Sequence, residues 1–288
     1  MKFLVAIGLL AGLSAVVANI EDFGAAEGTV TPNEEIDEED IGMGGRIING
    51  RLAVRGQFPW QAVIRYKTAG FWGTTMICGA SLISPTHLLT AAHCLYENTV
   101  IQIILGSTTP YDTSDQDRLT PQVKRVFYNK GYNPADLSND IGIIELKEPV
   151  TYTDVIKPVK LQKSDEFLDE NVPVTISGWG QVSDFPKITV SYLNFVELRT
   201  IKNADCKKTF GAVVKDYTLC TVGEQGRNIC AGDSGGPLVT YDSAGEATQV
   251  GIVSFVAARG CTLGLPSGYI RVSSALPWIE RVTGLSFN

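Results

Sequence analysis

Gly232-Asp233-Ser234-Gly235-Gly236-Pro237 is the stretch on which the fold of this chain turns. Glycines beside Ser234 let the backbone bend sharply and let a reacting carbonyl come close. The amides of Gly232 and Ser234 can then point together as donors to a developing oxyanion. The same run also satisfies G-x-S-x-G, the strand-to-helix elbow of α/β-hydrolases, so the short pattern alone leaves two folds open. Chain order separates them. In α/β-hydrolases the histidine follows the serine, whereas the only two histidines here, His87 and His93, both precede Ser234.

A serine nucleophile needs a base, and histidine titrates close to neutrality. His93 sits in Leu89-Thr90-Ala91-Ala92-His93-Cys94, where small residues leave room beside a cleft and a cysteine can pin the loop. His87 lies among Pro85, Thr86 and Leu88 and offers no comparable setting. The base in turn needs a buried carboxylate to fix its tautomer. Asp140, in Ser138-Asn139-Asp140-Ile141-Gly142-Ile143, opens an apolar strand and supplies one. An isolated aspartate there would read as a turn residue, but His, Asp, Ser is one of the known triad orders.

Around these motifs the chain alternates short β-rich runs with turns. Residues 76–77, 81–83, 100–105, 141–146, 172–176, 195–201 and 249–256 read as strands, punctuated by Gly106, Pro121, Gly131, Pro134, Pro149, Pro158, Pro186, Gly245 and Pro266. Within 195–201, Val196, Leu198 and Thr200 alternate with Glu197 and Arg199, the period of a half-buried strand. The one good helical pattern is at the end, residues 274–283, with Leu276, Ile279 and Val282 on one face. Many short strands predict an all-β barrel or sandwich, and the length after Arg46 predicts two barrels.

An apolar fraction of 44% and a charged fraction of 19% describe a foldable chain and exclude a disordered tail, a collagen and a polybasic nucleic-acid binder. Of 31 acids and 24 bases, nine and two fall in residues 1–46, which leaves 22 of each in residues 47–288. The acidity is therefore confined to the leader. Lys2, an apolar run over residues 3–18 and its small-residue end predict a signal peptide cut after Ala18. The run is shorter than the roughly 20 apolar residues of a membrane span. Residues 19–45 are too polar to bury a core, and Gly44-Gly45-Arg46 is a natural proteolytic tip. Six cysteines, at 78, 94, 206, 220, 230 and 261, predict three disulfides in an oxidising compartment, with 15 pairings open. No C-x-x-C occurs, and the expectation is no metal and no cofactor. Asp112, Asp115 and Asp117 lack the calcium-loop pattern and read as a solvated turn.

Ile47-Ile48-Asn49-Gly50 after an arginine, Thr90-Ala91-Ala92-His93-Cys94, Asn139-Asp140-Ile141 and the Ser234 run, in that order, resemble the chymotrypsin-like (trypsin-fold) serine proteases over residues 46–288. The short leader, three disulfides and Pro277-Trp278-Ile279 are most similar to secreted or digestive enzymes of arthropods. The resemblance implies two perpendicular six-stranded antiparallel β-barrels, roughly 47–160 and 161–288, and a C-terminal helix. It implies disulfides Cys78–Cys94, Cys206–Cys220 and Cys230–Cys261, with His93 and Asp140 from one barrel and Ser234 from the other. Residues 1–18 would be the signal and 19–46 an acidic activation propeptide. Cleavage after Arg46 by a trypsin-like protease would free the Ile47 amine to pair with Asp233. The expected product is a secreted, monomeric endopeptidase acting on proteins or peptides and meeting protein inhibitors, with no nucleic-acid or membrane partner. The alternative is a catalytically inactive homologue that binds or regulates; its mark, a missing triad or oxyanion residue, is absent.

The family's primary pocket maps onto Asn228 at its base, Ser267 at a second base position, and a wall after Ser254-Phe255. With no charge at Asn228 or Ser267, trypsin-like cleavage is not expected. Val256 stands where glycine is usual, which resembles elastases and predicts a shortened pocket. Residues 254–261 carry one residue more than trypsin-like loops, which keeps a chymotrypsin-like preference open. The backbone of residues 254–256 is expected to pair with substrate as an added strand, and Ser254 to help hold Asp140.

Overall fold

The computed structural model describes residues 4–6, 50–68, 75–163, 170–181, 183–184, 191–223 and 226–287. Strands β3 (Gln61–Thr68), β4 (Thr75–Ser84), β5 (His87–Thr90), β6 (Asn98–Leu105), β7 (Val123–Tyr128) and β8 (Gly142–Leu146) form one antiparallel sheet in the order β6-β3-β4-β5-β8-β7. A bridge between Leu105 and Leu119, just ahead of β7, brings its two ends together. Ala62, Ile64, Leu82, Leu89, Ile103 and Ile143 are fully buried inside it.

The second sheet closes on itself. β10 (Pro173–Gly178), β11 (Asn194–Ile201), β12 (Thr218–Val222), β15 (Ser267–Arg271), β14 (Ala247–Ala257) and β13 (Pro237–Tyr241) pair in a ring, since β13 returns to β10. Along β11, Val196, Leu198 and Thr200 are buried while Glu197 and Arg199 are exposed, so the alternation in the sequence sorts core from solvent. The fold is thus two six-stranded antiparallel barrels. The chain also crosses between them: β2 (Arg51–Leu52) pairs with β11, and β9 (Lys160–Leu161) runs parallel to β14.

Two helices follow different rules. The C-terminal α2 (Val272–Thr283) buries Leu276 and Ile279 as its periodicity predicts. A second helix, α1 (Asn203–Phe210), corrects the expectation of a single one. It is polar apart from Ala204, Cys206 and Phe210, and only Cys206 and Phe210, one turn apart, are buried. Its order comes from tertiary anchors, which no local pattern reveals.

Buried hydrogen bonds stitch the barrels together. Ser81 Oγ donates to Gln249 Oε1 at 2.6 Å, Ser177 Oγ to Gln61 Oε1 at 2.7 Å, and Gly79 N to the Ser234 carbonyl at 2.7 Å. All three disulfides are local, Cys78–Cys94 in the first barrel and Cys206–Cys220 and Cys230–Cys261 in the second. The acids after Gly106 face the protein's own groups: Asp115 and Asp117 meet Arg55, and Asp112 accepts from Ser114.

Candidate active site

Thr90 ends β5, its hydroxyl held by the Gly79 carbonyl at 2.8 Å. One 3-10 turn, Ala92–Cys94, then swings His93 inward. The buried Ala91 and Ala92 allow the close approach, and the Cys94 bond to Cys78 ties the turn to β4.

Asp140 lies two residues before β8 and is fully buried. Its Oδ1 accepts the His93 backbone N–H at 2.9 Å, and its Oδ2 lies 2.8 Å from His93 Nδ1. A carboxylate can only accept, so Nδ1 carries the ring proton of neutral His93 and Nε2 presents a lone pair. Among the described residues Nε2 has no hydrogen-bond partner although it is buried. The Ser254 hydroxyl on β14 also donates to Asp140 Oδ2, at 2.6 Å, so the second barrel holds a carboxylate supplied by the first. His87 is remote from this cluster, its Nδ1 lying 3.1 Å from Ser84 Oγ and 3.0 Å from Thr86 Oγ1.

Ser234 occupies the turn into β13. Its carbonyl accepts from Gly79 and lies 3.8 Å from Cys94 Sγ, so the serine's backbone abuts the residue that follows His93. Gly232 adopts φ +102°, where a side chain is strained. Between Gly232 and Ser234, Asp233 points inward and is buried. Its oxygens accept Gly180 N and Cys230 N, each at 2.9 Å. Burial pushes its carboxyl up to about 6, against the pull of those two amides. Arg46 and Ile47, expected at the activation cut, lie outside the described residues, as do residues 7–45.

Asn228 and Ser267 are both buried, and their side chains face each other. Asn228 Oδ1 accepts from the Ser267 hydroxyl and from Ile229 N, while Nδ2 donates to the Leu265 carbonyl at 2.9 Å. The amide is therefore engaged by the protein itself. Val256 packs in one apolar cluster with Ile229, Cys230, Cys261 and Tyr269. Ile229 was missing from the sequence reading; its place beside Asn228 is the one signal that could have found it. Phe255 turns away from that cluster and meets the Phe210 ring edge-on at 5.0 Å.

Pairing of β14 with β13 stops at Ile252, so the last residues of β14 overhang. There the edge takes β1 (Leu4–Ala6) antiparallel, with Leu4 opposite Ala257, Val5 opposite Val256 and Ala6 opposite Phe255. An unpaired edge of this kind accepts an extended chain by main-chain hydrogen bonds.

Comparison with known proteins agrees with this geometry. The family model described as Trypsin matches residues 47–279. A collagenase of Hypoderma lineatum is 34% identical over 249 residues, covering 84% of this chain and 89% of its own length. Brachyurin of Leptuca pugilator is 35% identical over 240 residues, covering 83% of this chain and all of its own. The solved structure of HL collagenase superposes with a TM-score of 0.74 at 32% identity, over 83% of this chain and 100% of the other. Two closed barrels, the match to the family model and these relatives together place the chain in the trypsin family of serine endopeptidases.

Proposed function

We propose that the chain is made as a secreted zymogen, is cut after Arg46, and hydrolyses peptide bonds through Ser234, His93 and Asp140. The observation that carries this reading is the buried His93–Asp140 pair, with a bare Nε2 on the side away from the carboxylate.

Ser234 Oγ attacks the scissile carbonyl carbon while His93 Nε2 takes its proton. Gly232 N and Ser234 N donate to the oxyanion that forms. The resulting imidazolium sits against Asp140, whose negative charge the Ser254 hydroxyl keeps in place. Collapse of the tetrahedral intermediate breaks the C–N bond, and His93 delivers its proton to the leaving amine. Water, deprotonated by the same nitrogen, then attacks the acyl ester and regenerates Ser234.

Activation follows from the state of Asp233. A buried carboxylate without a cation is costly, and the freed Ile47 amine supplies one. The family match begins at residue 47, which supports a cut after Arg46. With residues 1–18 removed as a signal peptide, the overhang of β14 is free for substrate. The enzyme acts as a monomer, is switched on by a trypsin-like protease and is open to protein inhibitors.

At P1 the enzyme prefers Ala, Val or Leu. A neutral, self-satisfied Asn228 gives an arginine or lysine nothing to pair with, and Val256 and Ile229 fill space that a ring would need. The test is a P1 panel. The purified zymogen is activated with trypsin, the trypsin is inhibited selectively, and peptides ending in Ala, Val, Leu, Phe, Tyr or Arg are assayed. Fastest turnover of Ala, Val or Leu supports the shortened pocket; fastest turnover of Phe or Tyr replaces it with a chymotrypsin-like one. Free Ile47 with no peptide cut overturns the catalytic reading and leaves an inactive homologue. A relative being named collagenase, native collagen belongs on the panel as the protein substrate.

A further inference from the structure

Asp184 belongs to none of the motifs above, yet its carboxylate is saturated with donors from residues 77 and 78 positions later. Oδ1 accepts Cys261 N at 2.7 Å; Oδ2 accepts Thr262 N at 2.9 Å and the Thr262 hydroxyl at 2.5 Å. Gly260 lets the turn fold around it. Its φ is +135°, and a Cβ there would stand 2.6 Å from Asp184 Oδ2. Burial pushes the Asp184 carboxyl up, but the Thr262 hydroxyl and the amides of Cys261 and Thr262 outweigh it and hold it below the ordinary value.

The segment so gripped leads directly out of the pocket wall. It begins after Val256 and Ala257, at the end of β14, and runs to Cys261, whose disulfide partner Cys230 is two residues from Asn228. The Asp184 carboxylate and both sulfurs of that disulfide lie within 4.8 Å of one another. Between β14 and this disulfide the backbone makes one turn bond among the described residues, Gly260 N to the Ala257 carbonyl at 3.2 Å. The carboxylate supplies what secondary structure does not.

We infer that Asp184 is a positioning residue for P1 selection: by binding residues 261–262 it fixes the span from Val256 to Cys261, and with it the width of the pocket around Asn228. It touches no reacting atom. The inference rests on the reading that Asn228 and Val256 frame the P1 site.

The test uses the activated full-length enzyme and the same P1 panel, comparing wild type with Asp184→Ala, Asp184→Asn and Thr262→Ala. A loosened wall loses discrimination in binding, so Asp184→Ala is expected to raise KM for the preferred peptide about tenfold, with kcat changed by less than about threefold. The spread of kcat/KM across Ala, Val, Leu, Phe and Tyr should shrink by a similar factor. Asp184→Asn, which keeps an acceptor for part of the set, should fall between. Unchanged P1 ratios in an active Asp184→Ala enzyme, or a fall in kcat alone, overturn the inference. Should that variant not fold, Thr262→Ala decides: it removes one of three bonds, and P1 ratios equal to wild type overturn the inference. A wild-type enzyme that is inactive after activation overturns the proposed function instead.

Discussion

Ser254 is a small residue with a large expected effect. It gives the buried Asp140 a charge-assisted bond of 2.6 Å, and bonds of that kind contribute about 1.5–3 kcal/mol. Ser254→Ala should therefore lower kcat roughly 10–100-fold with little change in KM, as steady-state kinetics on one good peptide will show; an unchanged kcat removes Ser254 from the machinery. Asp233 carries a pH signature. Its carboxyl is raised from 3.8 to about 6, so the folded, uncut chain holds this proton more tightly than the unfolded chain. The associated stabilisation is fully present below about pH 4 and is lost as pH rises through about 6, at roughly 3 kcal/mol for two pK units. Thermal melts of the uncut chain across pH 4–7 should show that fall, and Asp233→Asn should flatten it. Equal slopes in the two would mean that other groups set the profile. His93, Asp140 and Ser234 were legible because each sits in its own contiguous motif. Asp184 was not: an aspartate beside Ser183 carries no local pattern, and its partners enter 77 and 78 residues later.

At the level of elements, the overhang of β14 and the rings beneath it are coupled. Phe210 on α1 meets Phe255 on β14, and Phe255 in turn lies over Gly268 of β15, where a Cβ would stand 2.6 Å from ring atom Cε1. Gly268→Ala must displace that ring, and overpacking of this kind costs about 1–3 kcal/mol. The expected result is a melting temperature lower by about 2–4 °C for each kcal/mol, with a raised KM because the displaced residue belongs to the proposed substrate edge. A melting temperature equal to wild type would show that the ring has room to move. The strands were legible wherever one face meets core and the other solvent, as in β11. α1 was not, because a helix anchored by two buried residues has no stripe to read. The pocket fell between: Val256 was visible as a departure from glycine, but the closure of Asn228 by Leu265 and Ser267 exists only once β15 lies beside β14.

In the whole molecule, function depends on the seam between the barrels. Gln61 crosses it to receive the Ser177 hydroxyl, and both residues are buried. Gln61→Ala leaves that hydroxyl without its partner, at a cost of about 1–3 kcal/mol. Activity and circular dichroism should then be lost together at a melting temperature several degrees lower, with kcat at 25 °C unchanged. An early loss of activity, ahead of unfolding, would mean that the barrels separate before they melt. The pattern of disulfides has a further consequence. Every bridge closes a loop inside one barrel, so in the span between Leu146 and Pro173 the polypeptide backbone is the sole covalent link between the halves. A chain divided there would yield two pieces, one bearing His93 and Asp140, the proposed base and its carboxylate, the other Ser234, the proposed nucleophile. Neither would cut alone, and the rate would rise with the product of their concentrations, as in a split reporter whose signal is the meeting of its parts.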